Sequence, residues 1–150
     1  PYEEPAYDVY PLEGGDQEIG LGAVGNLAGP EEAAAFFDRV KRVLDAPSAR
    51  AVVPDAAGRV RRVAVLGGSG GGEVSRIPED VDAYVTGDLG YHDAMTARDR
   101  NLLVVDAGHH ATEAPVLEVI ARRIGDALPA LPVTVLWGAD PFTVAPVPDA

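Results

Sequence analysis

The sequence predicts an α/β fold: a mainly parallel or mixed sheet flanked by helices. Short apolar runs at residues 60–66, 83–86 and 102–105 alternate with longer segments of helical apolar period at 30–45 and 112–128, the pattern of strands joined by helical crossovers. Successive runs also empty into glycine, acid or histidine, at Gly67 to Gly72, at Gly87-Asp88 and at Asp106 to His110. In α/β sheets the carboxyl ends of the strands are where ligands bind. At 150 residues the chain is one domain in size, large enough for an ordinary hydrophobic core.

The elements follow in order. Tyr7, Val9 and Pro11 alternate with Asp8, Tyr10 and Leu12, which reads as a short extended strand of edge character. Gly14-Gly15-Asp16 is a turn signal and divides residues 1–12 from 13–150. Ile19 to Leu27 reads as a glycine-rich strand. A helix is expected from Pro30 to Asp45, with Pro30 in its first turn, Glu31 and Glu32 complementing the dipole, and Phe36, Phe37, Val40, Val43 and Leu44 as a buried stripe. Ala51 to Val53 reads as a strand and Pro54 to Gly58 as a turn.

Val60 to Leu66 is the next strand, running into Gly67-Gly68-Ser69-Gly70-Gly71-Gly72. Such a loop allows close approach of backbone to an anion, or forms a tight structural loop or the wall of a ligand cavity; no Gly-Lys-Ser/Thr follows, and Glu73 stands where a dinucleotide fingerprint needs glycine. Pro78 keeps any helix between Glu73 and Asp82 short. Ala83 to Thr86 is a strand, Gly87 to Asp93 a loop and Ala94 to Arg100 a short helix. Leu102 to Val105 is a strand, and Thr112 to Leu128 a helix with Val116, Leu117, Ile120 and Ile124 on its apolar face. Val133 to Trp137 is expected as the last strand, with an irregular tail from Gly138.

The net charge of -12 argues against nucleic acid or an anionic membrane as partner and suits a bound cation. Cysteine is absent, which excludes disulfides, thiolate metal sites, cysteine nucleophiles and iron–sulfur clusters. Neither a signal segment nor an apolar run of spanning length is visible, so a cytoplasmic location is expected.

The richest stretch is Asp106-Ala-Gly-His-His-Ala-Thr-Glu113. If a helix opens near Ala111, His109 and Glu113 lie on one side of its first turn and can converge on one divalent cation. His-x-x-x-Glu spacing alone is a weak motif; its strand-turn-helix placement adds to it. Asp106 either orients a ligand from behind or caps the turn. His92 is either a hydrogen-bonded loop residue or a proton-transfer partner.

Several blocks together resemble one family. Val63-Ala-Val-Leu-Gly-Gly-Ser-Gly70, Asp82-Ala-Tyr-Val-Thr-Gly-Asp88, Tyr91-His-Asp-Ala94, Asp106 to Glu113 and Asp140-Pro-Phe142 are similar, in order and spacing, to the C-terminal half of the Nif-three-like dinuclear-metal-centre hexameric proteins, also labelled GTP cyclohydrolase type 2 homologues. The resemblance implies a two-lobed metalloprotein with two divalent ions per subunit (zinc, manganese or iron), His109 and Glu113 among the ligands, and the other ligands in an N-terminal half. His110 stands where members commonly carry an aromatic and is not counted as a ligand. Pro1 to Leu12 resembles the closing strand of a small domain inserted between the halves, which implies that this chain was cut from a longer one.

Against the family pattern, Gly90 and Ala23 replace basic residues and Pro78 disturbs the crossover helix. The resemblance implies a metal-dependent hydrolase, cyclohydrolase-like or phosphoesterase-like, with His92 as a possible proton carrier, acting on a small molecule and assembled as a homohexamer. A ring-shaped scaffold or regulatory protein that binds metal or ligand without turnover is the alternative. With two ligands in hand, these residues alone are expected to hold metal weakly and to be inactive.

Overall fold

The computed structural model describes residues 20–55 and 58–142. The strand expected over Tyr7 to Leu12, the boundary at Gly14 to Asp16 and the end of the tail lie outside the described residues.

A five-stranded mixed sheet, flanked by helices, has the order β1-β3-β4-β5-β2. Its centre is parallel: β3 (Arg59–Val65), β4 (Ala83–Thr86) and β5 (Leu103–Asp106) run side by side with Val65 beside Val85 and Thr86 beside Asp106. Strands β4 and β5 are buried along their whole length, with no alternation, because both faces are covered, whereas β3 carries Arg59, Arg61 and Arg62 and alternates between buried and exposed residues. Phe36, Val60, Val85, Leu103 and Val105 fill one side; Val74, Tyr84, Leu89, Leu102 and Val104 fill the other. The parallel register brings the loops after β3, β4 and β5 out at one end. Two antiparallel strands close the edges, β1 (Ala23–Glu32) on β3 and β2 (Arg50–Val52) on β5. The pairing Arg50↔Asp106 places the first residue of β2 at the carboxyl end of β5.

Helix α1 (Ala33–Val43) starts three residues later than the sequence predicts, because β1 carries through Pro30 to Glu32. Pro30 falls where the β1 register shifts, between Asn26 and Glu31. On an edge strand the missing N–H of proline leaves no ladder bond unmade. Glu31 and Glu32 therefore pair with Arg39 and Arg59, at 3.0 and 3.1 Å, instead of opening the helix. Phe36 and Val40 are buried as expected, whereas Val43 faces solvent.

Beyond β3, a 3-10 helix over Gly70–Arg76 ends before Pro78. Helix α2 (Tyr91–Asp99) starts earlier than expected and takes in His92. The helix predicted from Thr112 breaks at Ala114-Pro115 into α3 (His109–Glu113) and α4 (Pro115–Ala127). Proline has no N–H to continue α3, but it fits the first position of α4. No residue of α4 is buried, and Val116, Leu117 and Ile120 are exposed. Val133 to Trp137 forms no strand, for no described strand runs beside it to share backbone hydrogen bonds, and Leu136 and Trp137 are exposed.

Tyr84 is wholly buried on β4 and donates its hydroxyl to the Gly70 carbonyl at 2.8 Å, so the glycine run is tied to the sheet. Burial holds its phenol above the ordinary value of 10.0. Tyr84→Phe should cost about 1 kcal/mol by leaving that carbonyl without its donor, read as a midpoint shift in denaturant at unchanged slope.

Candidate metal centre

The turn from β5 into α3 depends on Gly108, whose φ of +90° is a left-handed conformation open to glycine. Asp106, 5 % exposed, organises this turn. Its Oδ1 accepts from the Gly108 amide at 3.1 Å and its Oδ2 from the Leu89 amide at 3.2 Å. Arg50 closes the network by donating Nε to Asp106 Oδ2 at 2.9 Å and a terminal nitrogen to the Leu89 carbonyl at 2.8 Å. Asp106 thus caps the turn and ties it to the loop after β4; its hydrogen bonds reach no side chain of α3.

Helix α3 starts at His109, so His109 and Glu113 stand one turn apart and their Nε2 and Oε2 atoms lie 3.3 Å from one another. The other ring nitrogen, Nδ1, lies 2.7 Å from Asp88 Oδ2. Asp88 follows β4 with a φ of 54°, which aspartate tolerates better than most residues. The His109 pKa is raised above the ordinary 6.5, first by the hydrogen bond to Asp88; desolvation opposes it, and the charges of Glu113 and Asp88 add smaller upward contributions. A raised value means these contacts stabilise the fold fully below pH 6.5 and lose that contribution as pH rises through the raised value.

The start of the glycine run packs against α3. The Gly68 amide donates to Thr112 Oγ1 at 2.9 Å, and that hydroxyl reaches back to the Gly108 carbonyl at 2.8 Å. A Cβ on Gly67 would lie 2.7 Å from the Thr112 carbonyl oxygen, and one on Gly68 2.4 Å from Glu113 Oε1. Of the readings open from the sequence, these contacts match the tight structural loop.

A cavity of about 520 Å³ opens over this end of the sheet, lined by Arg50, Asp88, Asp106, His109, His110 and Glu113 on the sheet side and by Asp140 and Phe142 from the tail. His92 does not line it: it sits in the first turn of α2 with its ring edge-on to Tyr91. Asp88 and Arg50 were not singled out by the sequence reading. The strand-end Thr-Gly-Asp was visible, but nothing local aims its acid at His109. Arg50 reaches Asp106 only through an antiparallel pairing of distant strands.

An imidazole nitrogen and a carboxylate oxygen side by side fit a divalent first-row cation. They are half a coordination sphere, since among the described residues no group of three His, Asp or Glu side chains converges to hold an ion. The fold and site thus define an α/β domain that presents a histidine–carboxylate pair where its parallel strands end. Comparison with known proteins places that class more closely: the family Duf34/NIF3 (NGG1p interacting factor 3) matches residues 5–139, and the chain belongs to it.

Among curated relatives, the GTP cyclohydrolase 1 type 2 homolog of Bacillus subtilis is 43% identical over 125 residues, covering 83% of this chain and 33% of that protein. The homolog from Mycobacterium tuberculosis is 37% identical, covering 93% of this chain and 40% of the relative. The crystal structure of a Bacillus cereus protein related to NIF3 superposes with a TM-score of 0.69 at 37% identity, covering 96% of this chain and 41% of that one. The chain therefore spans roughly a third to two fifths of the length of these relatives. No described helix is long and apolar enough to cross a membrane.

Proposed function

We propose that residues 13–150 are the C-terminal lobe of a dinuclear-metal-binding Duf34/NIF3 protein, a metal-dependent hydrolase of a small molecule, with residues 1–12 the last strand of an inserted domain. The observation that carries it is the 3.3 Å approach of His109 Nε2 to Glu113 Oε2 at the rim of a cavity. The relatives' description as GTP cyclohydrolase 1 type 2 homologs supports the hydrolase reading, and their additional length supports a two-lobed parent. The remaining ligands then come from the part of the relatives that this chain does not span.

A bound divalent pair would supply an activated water and a Lewis acid. Zinc, manganese and iron all suit the donor pair. This chain's own residues do the holding and orienting. His109 and Glu113 offer the donors, the absence of a side chain at Gly68 leaves room for the Glu113 carboxylate, and Asp106 fixes the turn that carries His109. Arg50 gives the cavity wall a cation that an anionic substrate would meet. His92, away from the cavity wall, has no part in holding metal.

The test is metal content after exposure to zinc, manganese or iron, on this chain and on one extended to the length of its relatives. The extended protein should retain stoichiometric metal and lose it in His109→Ala and in Glu113→Gln, while His92→Ala keeps it. This chain alone should retain well under one equivalent. Full metal retention by the extended His109→Ala variant sinks the assignment.

A further inference from the structure

We propose that Asp88 is the positioning residue of this site, holding the His109 imidazole in its Nδ1–H form so that Nε2 is left as the free donor atom beside Glu113. A carboxylate can only accept, so in the 2.7 Å contact between Asp88 Oδ2 and His109 Nδ1 the proton belongs to the ring. The hydrogen bond made by one ring nitrogen sets the role of the other. With Nδ1 committed to Asp88, the lone pair of the neutral ring lies on Nε2, 3.3 Å from Glu113 Oε2.

The backbone shows that the carboxylate is placed rather than loosely tethered. The Gly87 amide donates to the Gly68 carbonyl at 3.1 Å, and the Gly87 carbonyl accepts from the Gly71 amide at 3.0 Å. A Cβ on Gly71 would lie 2.3 Å from the Asp88 carbonyl oxygen, and one on Gly87 2.7 Å from the His109 amide nitrogen. The peptide that carries Asp88 is thus clamped between the glycine loop and the start of α3, in a left-handed conformation with φ of 54°. From there a side chain with only two rotatable bonds reaches one nitrogen of one histidine. Asp106, which the sequence offered for this task, faces the other way, toward Arg50 and Leu89.

The inference deepens the metal reading and rests on it for its consequence, whereas the tautomer is a property of the metal-free chain. The experiment is ¹⁵N NMR of the histidine rings, run at a pH above the His109 titration, on the wild-type chain, Asp88→Gly and Asp88→Asn. Glycine removes the carboxylate and accepts the left-handed backbone without strain; asparagine keeps an acceptor oxygen. Amide spectra confirm the fold of each. The wild type and Asp88→Asn should show His109 as Nδ1–H, and Asp88→Gly should move it toward Nε2–H.

Zinc titration on the same resonances should weaken about tenfold in Asp88→Gly. A wild-type ring in the Nε2–H form, or an Asp88→Gly ring unchanged from wild type, overturns the inference, as does an unchanged zinc affinity. A tautomer that follows the prediction, in a protein that binds no zinc even when extended to the length of its relatives, supports the placement by Asp88 and defeats the metal reading instead.

Discussion

Gly87→Ala should destabilise the fold by about 3 kcal/mol, at the upper end of what overpacking costs. In a chain of this size that is a fall of about 10 °C in the thermal midpoint. The added methyl would lie 2.7 Å from the Gly108 carbonyl carbon, the Gly68 carbonyl oxygen and the His109 amide nitrogen. All three are backbone atoms, held by the sheet or by α3, so no side chain can rotate away to make room. Gly87 is the point at which the loops after β3, β4 and β5 touch, and separating them there also separates Asp88 from His109.

Gly125→Ala is the matching control. It lies within α4 with nothing inside 4 Å of its added methyl, and should be neutral or stabilising by up to about 1 kcal/mol. If Gly87→Ala lost under 1 kcal/mol in urea denaturation, the three loops would not be packed as described.

The same crowding explains what could be read from the residues alone. The central strands were legible because β4 and β5 are covered on both faces and stay apolar up to their last residue, while β3 keeps an apolar run from Val63 to Val65 after its arginines. The extent of β1 was not: Pro30 before two glutamates is an ordinary helix opening, and only its position on an edge strand lets the ladder run through it. The stripe on α4 shows how far periodicity reaches, since spacing reveals an apolar face without saying what covers it. Val133 to Trp137 has the composition of a strand and lacks a neighbour, which no single stretch of sequence can report.

At the site, the pairing of His109 with Glu113 was legible because it is local to one helical turn. The partner on the other ring nitrogen was not, being 21 residues away on a different loop. The glycines from Gly67 to Gly72 were conspicuous, yet the reason for Gly67, Gly68, Gly70 and Gly71 is the proximity of Thr112, Glu113, Tyr84 and Asp88, which only the fold brings together, and Gly72 has no such neighbour.

Asp106→Ala should cost about 3 kcal/mol, and the cost should come from two backbone amides rather than from the ion pair with Arg50. The Leu89 and Gly108 amides each have an Asp106 oxygen as acceptor. A buried donor stripped of its acceptor costs about 1–3 kcal/mol. The Arg50 side chain, by contrast, is 70% exposed, so its charge regains water when the carboxylate goes and contributes little.

Arg50→Gln should therefore lose under about 1 kcal/mol, and the double variant should be close to Asp106→Ala alone. Asp106→Asn should fall between, because a single amide oxygen can serve the Gly108 turn or the Leu89 loop but not both. Denaturant midpoints at constant slope measure all of these, and faster exchange of the Gly108 and Leu89 amides in Asp106→Ala locates the change. If Arg50→Gln cost as much as Asp106→Ala, the charge pair would be the stabilising element. The turn that delivers His109 would then depend on ionic strength, which a turn held by backbone amides does not.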